Sequence, residues 1–244
     1  MQKILALWAV PRSTSTAFEW MMRQRKDMTC FHEPFGEAWY QGESPLWPRA
    51  FTDSLRTPGL TLETVHNSLR KSAGNGPSFS KDFPLYIKSI WSDDLFDLFS
   101  HSFLIRDPAK TITSMYNKWP DFHQDEVGFI EQRELFDRLC DYLGKAPPVL
   151  DSDDLLENPY GMVERWCNAV QISFLPNALS WTPGARNEVS WWDGGSFHAN
   201  LRDSDGLKPQ KRKYIDISEA PDRVKQIYDI ALPHYEHMYE QRLR

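Results

Sequence analysis

The stretch ILALWAVPRSTSTAFEW, residues 4–20, constrains the fold more than any other part of the chain. Ile4 to Val10 form a short unbroken apolar run, the pattern of a buried strand. Pro11 and Arg12 end it, and four small hydroxyl residues follow: Ser13, Thr14, Ser15 and Thr16. From Ser15 to Arg25 the spacing is helical, with a Ser or Thr available to cap the first turn. A buried strand that runs straight into a helix is the first half of a βαβ unit.

The rest of the chain repeats that alternation. Strand patterns occur at MTCFH (28–32), SFSKDF and PLYIKSI around Lys81 and Lys88, SFLIR (102–106) and the start of PPVLDSDDL. Helical spacing occurs at 62–72, in DDLFDLF, in DPAKTITSMYNKW with proline at its second position, at 126–143, in PYGMVERWCNAV, and at about 218–242. EPFG (33–36) reads as a turn, and 41–60 as loop. Residues 182–213 read as a long polar loop. The expectation is an α/β fold, a central parallel sheet flanked by helices with right-handed crossovers, in one domain over 1–244 with a flexible loop at about 182–213.

Composition narrows the function. Hydrophobic residues make up 41%, enough for a real core. Net charge is −6, against nucleic acid as a partner. The run Ile4 to Val10 is too short to span a bilayer and meets Pro11-Arg12 rather than a cleavage site, against a membrane partner or a signal peptide. Cys30, Cys140 and Cys167 lie far apart, which argues against a disulfide framework or a metal site and for a reduced, cytoplasmic setting.

Ligands of open α/β sheets bind beyond the carboxyl ends of the strands. Residues 11–16 fall there, at a helix N-terminus whose first N–H groups lack intrahelical partners and where the helix dipole is positive. The hydroxyls add donors, and Arg12 adds a planar fork of permanent charge. The pattern G-x-x-x-x-G-K-[ST] of nucleotide-hydrolysing P-loops is absent. A capped turn with a surface arginine has the same composition, so this loop alone names no ligand. FLIRDPAKTITSMY (103–116) adds a second junction: a strand ends in Arg106, and Ser114 follows two helical turns later. An arginine and a serine so spaced can hold a second phosphate.

Together the two segments resemble the sulfotransferases that use 3′-phosphoadenosine 5′-phosphosulfate (PAPS) and release 3′-phosphoadenosine 5′-phosphate (PAP). PRSTST is similar to their 5′-phosphosulfate loop, and IRDPAKTITSMY to their 3′-phosphate motif. The resemblance extends through LDSDDLLENPYGMVERWC (150–167) and LPHYEHMYEQRL (232–243). Many members carry Lys where this chain has Arg12 and Gly where it has Thr14. The resemblance implies a P-loop-like sulfotransferase fold. Arg12, Ser13, Thr14, Ser15 and Thr16 would then hold the 5′-phosphate and sulfonate, and Arg106 and Ser114 the 3′-phosphate.

Sulfonate transfer needs a base for the acceptor and cations for the leaving group. CFHEPF offers His32 and Glu33: the first has a suitable ordinary pKa, the second needs burial to raise it. A glutamate here acts as base in some bacterial relatives, which favours Glu33. Lys81 resembles the family lysine that approaches the sulfonate bridge, and Asp82 is placed to orient the acceptor or to act as base. The cytosolic branch has its catalytic His near this position, where this chain has none. WWDGGSFHANLRDSDGLKPQKRKY (191–214) resembles the family's late loop. In it Trp191 and Trp192 would wall the acceptor site and His198 face it. Lys208, Lys211, Arg212 and Lys213 would reach the 3′-phosphate or adenine. The expected acceptor is a small molecule, neutral or cationic, such as an alkaloid or other specialised metabolite. A nucleotide-dependent kinase of related fold and a non-catalytic nucleotide-binding descendant are the alternatives.

Overall fold

The computed structural model describes residues 3–47, 56–184, 199–209 and 214–244. Its strands are β1 (Ile4–Ala9), β2 (Thr29–His32), β3 (Ser78–Asp82), β4 (Phe99–Ile105) and β5 (Val149–Asp151). Between them run α1 (Ser15–Gln24), α2 (Pro34–Gln41), α3 (Leu62–Ala73), α4 (Pro84–Ile87) and α5 (Asp93–Leu98). After β4 come α6 (Pro108–Lys118) and α7 (Phe129–Leu143). Beyond β5 lie α8 (Ser152–Glu157), α9 (Pro159–Ala169), α10 (Ala199–Arg202) and α11 (Asp222–Glu240).

The five strands form one sheet in the order β2-β3-β1-β4-β5, and every neighbouring pair is parallel. This is the expected α/β architecture with helices against the sheet. Ile4 to Val10 are all buried, as the unbroken apolar run requires. Phe18 and Trp166 pack edge-on on one cluster with the strands, while Val10, Ile112, Phe129 and Val224 form a second cluster under α6, α7 and α11.

Three local expectations are corrected. EPFG opens α2 rather than a turn, because Pro34 stands in the first turn, where its missing N–H costs nothing, and the Phe35 N–H finds Asp82. PLYIKSI is helical for the same reason, with Pro84 starting α4 directly after β3. The stretch read as loop over 182–213 contains α10, and Gly206 bridges back to Ser180.

The chain leaves β1 toward β2 and leaves β4 toward β5, on opposite sides of the sheet, although β1 and β4 are neighbours. Their carboxyl ends therefore flank a topological switch point, where such sheets open a crevice. Gln132, buried on α7, donates to the carbonyls of Trp8 (3.1 Å) and Leu104 (3.0 Å), satisfying both strand ends beside that crevice.

A buried histidine gives the fold a pH signature. Trp8 Nε1–H donates to His101 Nδ1 at 2.9 Å, and His101 Nε2 lies 3.0 Å from the Phe96 carbonyl oxygen. An indole only donates and a carbonyl only accepts, so His101 is the neutral Nε2–H tautomer. Burial pushes its pKa down to about 4. The folded value lies below the unfolded one, so this stability is present above pH ~6.5 and is lost as pH falls toward ~4. Urea titrations at pH 7 and pH 5 should differ by about 2 kcal/mol from this residue. His101→Gln, which keeps an acceptor and a donor, should lack that increment.

Candidate active site

The loop after β1 is shaped by two residues in the left-handed region, Arg12 (φ 66°) and Thr14 (φ 73°). For a β-branched residue this is an outlier costing on the order of 1–3 kcal/mol. It gives a physical reason for the glycine that many members carry at Thr14. Thr14 is the residue before α1 but makes no side-chain cap, contrary to the sequence expectation.

Three successive carbonyls of the loop are engaged by donors. Arg106 Nη1 donates to the Arg12 oxygen at 3.0 Å, the Ser152 hydroxyl donates to the Ser13 oxygen, and Ala17 and Phe18 donate to the Thr14 oxygen. Ser13 is itself fastened to the Val10 carbonyl, through its hydroxyl at 2.7 Å and its N–H at 3.3 Å. Engaged carbonyls and alternating backbone handedness make the N–H groups at the start of α1 a concave nest for an anion. Ser13, Ser15 and Thr16 are buried within this turn.

The two halves of the sequence motif meet here. Arg12 Nε donates to Ser114 Oγ at 3.1 Å, across the switch point from β1 to α6. Arg106 is only 4% exposed. Its Nη2 donates to the Tyr214 hydroxyl oxygen at 2.6 Å, and its Nε is buried with no partner among the described residues. Asp107 does not neutralise it; that carboxylate caps α6 by accepting from Ala109 N at 2.8 Å. A buried guanidinium held by a carbonyl and a phenol, with its Nε left without a partner, fits an anionic ligand.

The second cluster lies at the same sheet edge, on β2, β3 and the start of α2. His32 and Leu7 flank Lys81 in the sheet register. Lys81 is fully buried and ion-pairs with Glu33, which excludes a solvated lysine. Glu33 is itself left-handed (φ 44°), with its N–H on the Lys81 carbonyl at 2.8 Å. His32 Nδ1 lies 2.6 Å from Glu19, a fully buried carboxylate on α1 that also accepts from Arg23 at 2.8 Å. Burial alone would raise the Glu19 carboxyl, but His32, Lys81 and Arg23 outweigh it and hold it at about 2. Asp82 spends both oxygens on main-chain N–H groups, Phe35 at 2.8 Å and Phe83 at 2.9 Å. Burial and the neighbouring Glu33 carboxylate push its pKa well up.

The structure thus brings Arg12, Ser13, Thr14, Ser15, Thr16, Arg106 and Ser114 to one crevice, and His32, Glu33, Lys81 and Asp82 to the adjoining strand ends. Lys208 instead pairs with Asp205 at 2.8 Å on an exposed turn. Trp191, Trp192, His198, Lys211, Arg212 and Lys213 lie outside the described residues. Sequence reasoning missed Glu19, Ser152 and Tyr214. Glu19 precedes Arg23 by four positions, the spacing of an ordinary surface pair, and Tyr214 directly follows Lys211, Arg212 and Lys213, the cations expected to reach the 3′-phosphate or adenine.

Fold and crevice define an α/β protein with an anion nest at the switch point of a parallel sheet. Residues 2–241 match the family described as the sulfotransferase domain, and the chain belongs to that family. Among curated proteins it is similar to branched-chain-amino-acid aminotransferase-like proteins 2 and 1 of Arabidopsis thaliana, with 26% and 24% identity over 96% of this chain. It spans 42% of the length of each of these relatives. A solved structure of similar fold is the sulfotransferase domain from the Synechococcus PCC 7002 olefin synthase, with a TM-score of 0.54 and 15% identity. The match covers 94% of this chain and 95% of that one. Among the described residues no helix is long and apolar enough to cross a membrane.

Proposed function

We propose that this sulfotransferase takes its sulfonate from PAPS and transfers it to a hydroxyl or amino group of a small molecule, in a cytoplasmic setting. The observation that carries the reading is Arg106, buried, uncompensated by any described carboxylate, and joined through Arg12 to Ser114. A nucleotide with one phosphate at the nest and a second at Arg106 answers both unpaired charge and unpaired N–H. Bound PAPS would supply a sulfonate on a phosphate leaving group.

The chain's own residues do the rest. Arg12 and the N–H groups opening α1 hold the 5′-phosphate and the sulfonate oxygens, and Arg106 with Ser114 holds the 3′-phosphate. Lys81, already beside Glu33, provides positive charge toward the leaving oxygen. Glu33 takes the acceptor proton on its carboxylate. It is preferred to Asp82, whose oxygens are occupied by main-chain donors, and to His32, whose Nδ1 is bound to Glu19. The net charge of −6 supports a neutral or cationic acceptor, such as an alkaloid or other specialised metabolite, over nucleic acid or an anionic membrane surface.

Calorimetry with PAP and with ATP tests the reading. PAP should bind at least about ten-fold more tightly, since only it carries the 3′-phosphate that meets Arg106. Equal affinity, or an ATP complex that tightens with Mg²⁺, would overturn it in favour of a kinase of related fold.

A further inference from the structure

Resting on that reading, we infer that Tyr214 belongs to the second phosphate site, where it positions Arg106 and donates its own hydroxyl proton to the 3′-phosphate. Tyr214 is half-buried, and its ring stands 5.5 Å from the Arg106 guanidinium. Its hydroxyl oxygen accepts from Nη2 at 2.6 Å while Nη1 is held by the Arg12 carbonyl. The two contacts fix the plane of the guanidinium. A hydroxyl that accepts in this way keeps its O–H free to donate, and an oxygen of an incoming phosphate is the acceptor within reach of Arg106.

The chemical type of the partner matters as much as its geometry. A carboxylate at this place would orient Arg106 but also cancel its charge, and it would compete with the phosphate for the same N–H groups. A phenol orients without cancelling. The ring adds a cation–π contact that steadies the side chain while no anion is bound. Tyr214 is thereby a specificity residue, acting on the phosphate that distinguishes PAP from adenosine 5′-phosphate.

The test is calorimetry on the full chain with PAP and with adenosine 5′-phosphate. Tyr214→Phe keeps the ring and removes the hydroxyl; PAP should bind about ten-fold more weakly, with adenosine 5′-phosphate unchanged. Tyr214→Glu should weaken PAP by at least about a hundred-fold, because it pairs Arg106 internally. Melting temperatures of the ligand-free variants establish that each is folded. If both variants keep the wild-type ratio of PAP to adenosine 5′-phosphate affinity, the role of Tyr214 is wrong while the PAPS reading stands. If the wild-type protein shows no preference for PAP, the reading itself fails and takes this role with it.

Discussion

Glu33→Gln should lower kcat by about 10²–10⁴-fold while leaving PAP affinity within a few-fold of wild type. Glutamine keeps the shape and can still accept from Lys81, but it cannot take a proton at neutral pH. The backbone at Glu33 is left-handed and fastened at both ends, by its own N–H on Lys81 and by the Phe35 N–H on Asp82. Such strain, held by the surrounding hydrogen bonds, is common where a side chain must be aimed. Pre-steady-state transfer with labelled PAPS is the measurement, because it isolates the chemical step from product release. His32→Asn is the control: it should cost about ten-fold or less, since His32 is bound to Glu19 and serves to hold the strand end. A larger loss in His32→Asn than in Glu33→Gln would reverse the assignment and make His32 the base and Glu19 its orienter. Lys81 also loses its counter-charge in Glu33→Gln, so a lower melting temperature is expected and must be measured alongside.

The sheet was legible where a strand carries a short apolar run, as ILALWA does in β1 and FLI at the end of β4. The run ILALWA cannot be anything but buried, and β1 lies in the middle of the sheet as such a run requires. PLYIKSI misled because apolar residues in a run of seven suit a strand and a short helix equally, and only Pro84 at the helix start decides between them. Arg12, Arg106 and Ser114 were legible because a strand end followed by a helix places its residues at a known edge of the sheet. Glu19 and Tyr214 were not, because their roles come from contacts across long sequence separations. Tyr214 meets a residue 108 positions away, and Glu19 turns from a surface-type residue into a buried one only when α1 packs on β2. The carbonyls of residues 12 and 13 carry no signal either: their engagement depends on Arg106 and Ser152, which no local pattern connects to the loop.

Arg106→Ala should weaken PAP by about a hundred-fold or more, with ATP and adenosine 5′-phosphate changed only a few-fold. Removing one partner of a buried, hydrogen-bonded charge pair costs about 2–5 kcal/mol, and Arg106 is screened from water on nearly all sides. The ligand-free protein is a separate question. There the guanidinium has only neutral partners and a buried Nε with none, so its charge is a burden on the fold rather than a support. Arg106→Ala should therefore leave the ligand-free melting temperature unchanged or raise it, the pattern of a residue kept for binding at the expense of stability. Saturating PAP should raise the melting temperature of the wild-type protein, and that rise should nearly vanish in the variant. Arg106→Lys separates charge from shape: it retains the charge but not the fork that reaches Arg12 and Tyr214 together, so it should fall between the two. A variant that unfolds without ligand would mean that Arg106 mainly braces the Arg12 turn. A folded variant with full PAP affinity would remove the second phosphate from this crevice.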